Sequence, residues 1–285
     1  MQITKEQVKA WHACTDGFRW FLDKFPQGGS YADVHGALIA DKRFDDARWL
    51  VDNMYRTHLD KPEFIQAETA TTDKMVGELT SMELPSDQVE GEHSSGNYAR
   101  IGSSGNYAQI GSSGYYAQIG SSGYNAQIGS SGNYARIGSS GYYARIGSSG
   151  YYARIGSSGN YAQIGSSGYY ARIGSSGNYA QIGSSGYNAR IGSSGNYAQI
   201  GSSGYNARIG SSGYNAQITA TGKGAVVACA GSVERIVLGE NGCASVPWYD
   251  GKRTRIAVAY VGENGIEAHT PYYINDEGQF VKVEE

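Results

Sequence analysis

From Ser94 to Thr219 apolar and polar positions alternate on a nine-residue period, repeated fourteen times without an insertion. The unit is Ser-Ser-Gly-(Asn/Tyr)-(Tyr/Asn)-Ala-(Arg/Gln)-Ile-Gly. Ala and Ile stand two apart in every unit with Arg or Gln between them, as in Ala99-Arg100-Ile101. Period-two alternation predicts a short strand with an apolar inward face and a polar outward face. The Gly-Ser-Ser-Gly that follows reads as a corner with no side chain for a core, its glycines supplying positive φ. A helix is disfavoured, since each of two glycines per unit costs about 1 kcal/mol relative to Ala. One unit cannot bury its own apolar face, but a stack of units can, so the array predicts a solenoid.

The Arg/Gln position sets the coil. Counted from Ser94, the odd units carry Arg100, Gln118, Arg136, Arg154, Arg172, Arg190 and Arg208, and the even units Gln109, Gln127, Arg145, Gln163, Gln181, Gln199 and Gln217. A coil of two units collects the odd strands in one parallel sheet and the even strands in the other. About seven coils of eighteen residues result, spaced ~4.8 Å apart in a rod of roughly 30 Å. One broad face carries an arginine ladder and the opposite face a glutamine ladder. The aromatic pair is Asn-Tyr, Tyr-Tyr or Tyr-Asn, never Asn-Asn. Stacked rings and amides favour in-register strands. The same rings also suit a contact surface.

The flanks have other periodicities. Residues 1–75 predict a small helical bundle. Thr4 and Gln7 have capping-box spacing, Asp16 and Ser30 are candidate caps, Pro26 ends the second helix, and 45–55 buries Ala47, Trp49, Leu50, Val51 and Met54. Residues 76–93 read as an acidic linker, 94–219 as the solenoid, and 220–285 as a C-terminal β cap. In that cap Ala225–Ala230 and Val233–Leu238 read as strands that continue and close the stack. Asp250-Gly251 signals a hairpin, and Tyr272–Ile274 with Gln279–Val283 a second. The fold class is therefore α+β: helical bundle, central parallel β-solenoid, β-hairpin cap.

Net charge is only −3, but it is −7 over residues 1–93, +7 over the array and −3 over 220–285. Acidic ends beside a basic rod leave open that they fold over it. Cys14, Cys229 and Cys243 are odd in number and occupy expected core positions, as reduced thiols do. The polar N-terminus has no signal-peptide pattern and no apolar run reaches membrane-spanning length, so a cytoplasmic protein is expected. The five histidines are scattered without metal-ligand spacing, and the repeated serines have no recurring His or Asp, so no metal, cofactor or catalytic residue is expected. The array resembles the calcium-binding β-roll nonapeptide in coil and turns, but the turn Asp that would hold calcium is missing.

Ala10-Trp-His-Ala-Cys-Thr-Asp-Gly-Phe-Arg-Trp-Phe-Leu at the start, the Ser-Ser-Gly-x-x-Ala-x-Ile-Gly array, and Arg253-Thr-Arg-Ile-Ala-Val-Ala-Tyr-Val-Gly-Glu-Asn-Gly-Ile near the end resemble uncharacterised proteins of phages and prophages. The resemblance implies a phage accessory origin and brings no activity. A non-enzymatic binder is the expected function. Arg100, Arg136, Arg154, Arg172, Arg190 and Arg208 are its candidate contact residues, with Tyr98, Tyr134, Tyr152, Tyr170 and Tyr197 as candidate aromatic contacts. The expected partner is an anionic host protein or nucleoprotein complex, the protein acting as inhibitor or decoy. Direct nucleic-acid binding, a homo-oligomer, and a spacer, fibre or adhesin role are the alternatives. A membrane partner is not expected.

Overall fold

The computed structural model describes residues 1–58, 61–81 and 91–283. The helical part contains β1 (Gln2–Ile3), α1 (Lys5–Ala10), α2 (Thr15–Lys24), β2 (Gly29–Ser30), α3 (Tyr31–Ala40), α4 (Phe44–His58) and α5 (Pro62–Ser81). The Thr4–Gln7 capping box forms in both directions, and Ser30 caps α3. At α2 the expectation of Asp16 is corrected. Cys14 is the N-cap, its Sγ accepting from the Gly17 amide, and this exposed residue is not in the core. Phe21, Tyr31, Val34, Leu50, Met54 and Phe64 are among the side chains that close the bundle core.

Thirteen four-residue strands then recur every nine residues, from β4 (Arg100–Ser103) to β16 (Arg208–Ser211). They follow β3 (Gly91–Ser94) and precede β17 (Ala216–Ala220), β18 (Val226–Cys229), β19 (Val233–Leu238) and β20 (Cys243–Tyr249). The even-numbered strands β4 to β20 form one parallel sheet, here the Arg sheet, and the odd-numbered strands β3 to β19 form the Gln sheet. Pairing is in register at eighteen-residue steps, Arg154 opposite Arg136 and Arg172, and Gln163 opposite Gln181. The two-unit coil is therefore as the Arg/Gln pattern requires. The stack is longer than the repeat, because β3 and β18–β20 continue it in other letters: Val226 and then Cys243 take the register of Arg208. β21 (Thr254–Tyr260) closes the Arg sheet antiparallel to β20, and β22 (Pro271–Ile274) and β23 (Phe280–Lys282) close the Gln sheet. Two antiparallel hairpins thus form the cap.

Ala and Ile point inward throughout the array, and Ile155 is 3% exposed. The first Ser of each pair follows them, contrary to its reading as a pure corner residue. Ser130, Ser148 and Ser184 are fully buried, and Ser121 and Ser139 use their hydroxyls to accept from the turn amides of Gly123 and Gly141. Nor does the turn glycine supply positive φ. That falls on the second residue of the Tyr/Asn pair, at 51–61° in all fourteen units. The strain is held by coil-to-coil hydrogen bonds, such as Tyr152 N to Tyr169 O at 2.9 Å. The turn glycine has a different duty: a Cβ on Gly159 would lie 1.9 Å from the carbonyl oxygen of Gly141 on the preceding coil. Asn at the first pair position bridges coils as well, Asn133 Oδ1 accepting from Tyr151 N at 2.8 Å.

The linker expected at 76–93 is corrected at both ends. Residues 76–81 belong to α5 and 91–94 form β3; positions 82–90 lie outside the described residues. α5 runs beside the rod, against the Gln sheet from β3 to β13 (Gln181–Ser184). Among the described residues no helix is long and apolar enough to cross a membrane.

Candidate binding face

Each strand presents three outward columns. They are a wall of Arg or Gln, a floor of the strand glycine, and a second wall of the serine after the strand. The result on each sheet is a trough parallel to the stack.

On the Gln sheet the trough is filled. A Cβ on Gly147 would meet Thr72 Cγ2 at 2.6 Å and Val76 Cγ2 at 2.8 Å, and one on Gly165 would meet Thr72 Oγ1 at 2.6 Å. α5 therefore rests directly on the glycine floor. Acids of α5 and α4 reach the two walls: Ser167 Oγ donates to Asp73 Oδ1 of α5 at 2.7 Å, and Gln181 Nε2 donates to Asp52 Oδ1 of α4 at 2.7 Å. Burial raises both carboxyls above the usual carboxylate range, and those two hydrogen bonds oppose the shift. The even-numbered Tyr corner takes part too, with Arg48 over the Tyr143 ring at 4.3 Å and Phe44 against Tyr107.

Arg145 breaks the repeat's Gln pattern at one place in this covered sheet, and Glu68 faces it. Glu68 is 6% exposed and accepts a short hydrogen bond from Tyr31 Oη. Burial raises the Glu68 carboxyl, while Tyr31 and the Arg145 guanidinium pull it down. His35, buried in the same cluster, is held well below its usual value by desolvation and by Arg145, and so is neutral.

On the Arg sheet the same trough is open. Arg100, Arg136, Arg154, Arg172, Arg190 and Arg208 are all exposed in one column, interrupted by Gln118, and none forms an ion pair among the described residues. A Cβ on Gly138, Gly156 or Gly192 would meet nothing within 4 Å. The hollow between the Arg wall and the floor holds about 920 Å3, and the one between the floor and the Ser176–Ser194–Ser212 wall about 800 Å3. Beyond Arg208 the same outward face turns apolar, with Val226, Val258 and Tyr260 exposed.

Tyr98, Tyr134, Tyr152 and Tyr170 border the Arg wall. With Tyr116 they form one stacked ladder at 4.9–5.2 Å between centroids. Tyr197 is not in it. It precedes a Gln strand and stacks on Tyr179 at 5.0 Å in the other corner. Tyr116 is the member that the candidate set lacks, legible from its odd-unit position. The docking of α5 is the larger omission, and its trace in the sequence is Arg145. No group of acidic, His and Cys side chains among the described residues could hold a metal ion.

Residues 1–59, which contain α1 to α4, match the family described as the YdhT N-terminal domain. Over 75 residues the chain is 38% identical to the uncharacterized protein YdhT of Escherichia coli (strain K12), a stretch covering 26% of this chain and 28% of that protein. The chain therefore matches little more than a quarter of that relative's length. No solved structure matches the chain.

Proposed function

We propose that this is a non-enzymatic binding protein whose contact surface is the Arg sheet, presented as a rigid trough to an anionic protein partner. The observation that carries the reading is the asymmetry of two equivalent faces: one trough is filled by the chain's own helix, and the other, walled by six unpaired arginines, is bare. Like charges ~4.8 Å apart repel, and an anionic partner relieves that repulsion. Parallel strands stacked in register leave little conformational freedom to lose on binding. Favouring a binder over a spacer or fibre segment, α5 lies beside the rod and so does not stand beyond its end. The resemblance to phage and prophage proteins points to a host-cell partner, with the protein acting as an inhibitor or decoy on a host protein or nucleoprotein complex.

The test is capture from host lysate, with and without nuclease, by the wild type and by a variant with all six arginines changed to Gln. A defined partner that survives nuclease and is lost in the variant supports the reading. Capture abolished by nuclease assigns the face to nucleic acid. Equal capture by both proteins removes the Arg wall from binding.

A further inference from the structure

We propose that the Arg-sheet trough receives an α-helix. Its occupant is an acidic segment of a partner protein, with small residues at i, i+3/i+4 and i+7 laid on the glycine floor. The inference rests on the reading of the Arg sheet as a binding face and names what that face takes.

The template is within the molecule. Both troughs are built from the same nonapeptide, nine residues out of phase, so wall, floor and wall have the same geometry. One of them already holds a helix. α5 meets the floor through Thr69, Thr72 and Val76, a stripe of short side chains at helical spacing, together with the tip of Met75, and so approaches the sheet closely. Its twenty residues extend ~30 Å, enough to cross the six strands from β3 to β13 at ~4.8 Å each. Acids on its flanks and on α4 answer the polar walls. Where the covered wall carries an arginine, at Arg145, a buried glutamate faces it.

On the Arg sheet the floor is as bare of side chains, and the wall is arginine in nearly every strand. A helix seated there needs what α5 has, plus more acid on one flank. Helix pitch (~5.4 Å) and strand spacing (~4.8 Å) nearly match, so acids at i, i+3/i+4 and i+7 meet successive arginines. Arg serves this role well because its guanidinium engages a carboxylate through two parallel hydrogen bonds.

The experiment uses the full chain and fluorescence anisotropy with three probes. The first is a stapled helix of about 20 residues, with Ala along its floor face and Glu along one flank. The second is the same helix with Leu on the floor face, and the third is single-stranded oligodeoxythymidine. Two variants separate wall from floor: Arg136→Gln/Arg154→Gln/Arg172→Gln, and Gly138→Val/Gly156→Val/Gly174→Val. The Ala-faced helix is expected to bind wild type, and each triple variant is expected to weaken it about tenfold or more. The Leu-faced helix is expected to bind more weakly than the Ala-faced one. Anionic binding that depends on the arginines but is indifferent to the valines, or that favours oligodeoxythymidine, overturns the helix and leaves the Arg face standing. Arginine-dependent self-association assigns the trough to a second copy and also overturns it. If nothing anionic binds in an arginine-dependent way, both readings fall. Should the valine variant lose its cooperative melt, alanine at the same three glycines carries the test.

Discussion

Arg145 offers a direct test of how the helical part is held to the rod. Six of the seven even units have Gln at this position, so Arg145→Gln makes the array more regular. A consensus argument expects a neutral or stabilising change. The structure gives the opposite sign. Glu68 is 6% exposed and lies in the field of Arg145, so the substitution removes the positive charge that favours its buried carboxylate. Breaking a fully buried pair by removing one partner costs ~3–5 kcal/mol. Arg145 and Glu68 form no direct ion pair and are coupled only through the field across the cluster, so the cost is a fraction of that, and we expect about 1 kcal/mol, a factor of ~5 in equilibrium.

The assay is denaturant unfolding with a double-mutant cycle. Arg145→Gln should lower the midpoint, and adding Glu68→Gln should recover at least half the loss. The pH dependence has a definite sign. Burial raises the folded carboxyl of Glu68, so the folded state holds this proton more tightly than the unfolded chain does. Its contribution is fully present below the unfolded carboxylate value and is lost as pH rises through the folded one. Arg145 pulls that folded value down, so in Arg145→Gln the loss should extend further toward neutral pH. A variant as stable as wild type at neutral pH, with no coupling to Glu68, would refute the account.

Three further outcomes follow from the array. Ile155→Asp, at a 3% exposed site, should cost about 4 kcal/mol or more and abolish the cooperative melt. Gly159→Ala should cost ~3 kcal/mol or more, because its methyl group would lie 1.9 Å from a carbonyl oxygen, whereas Gly156→Ala, with nothing within 4 Å, should be neutral or gain ~0.5 kcal/mol; thermal melts of the pair check this. Wild type should gain about 1–2 kcal/mol more between low and high salt than the variant with six Gln, as repulsion along the Arg column is screened.

The repeat made the solenoid legible because its period carries redundant information. Alternation sets the inward face, and the Arg/Gln phase sets the coil. What lay outside the period was harder to read. β18 and β20 keep the register of Arg208 with Val226 and Cys243, since a parallel ladder needs backbone partners and an inward apolar face, not the repeat's own letters. The left-handed position fell on Tyr or Asn because hydrogen bonding between coils outweighs local preference there, while the turn glycine answers a close approach that only three dimensions reveal. α5 went unread as a docking element for a related reason. Its small-residue stripe of Thr69, Thr72 and Val76 is weakly amphipathic, and it makes sense only against a glycine floor.

Long-range charge alone would send the acidic helical part to the Arg face, yet it lies on the other. Desolvation explains the choice. Gln can be buried under a helix for the loss of a few hydrogen bonds with water, whereas each guanidinium needs an acid of its own. Among the described residues α5 brings Glu68 to Arg145, the arginine of the wall beneath it. The Arg wall thus keeps α5 off the second trough as effectively as the Gln wall admits it to the first. Gln127→Arg tests this. Gln127 is 9% exposed, pairs in register with Arg145, and lines the same cavity as neutral His35. Among the described residues the acid in that cluster is Glu68, so a second guanidinium there should weaken docking by about 3 kcal/mol. The expected result is faster amide exchange throughout α5, with the Arg-sheet strands as protected as before. Unchanged protection of α5 would mean that the covered wall tolerates charge, and that something other than desolvation decides which face the helix takes.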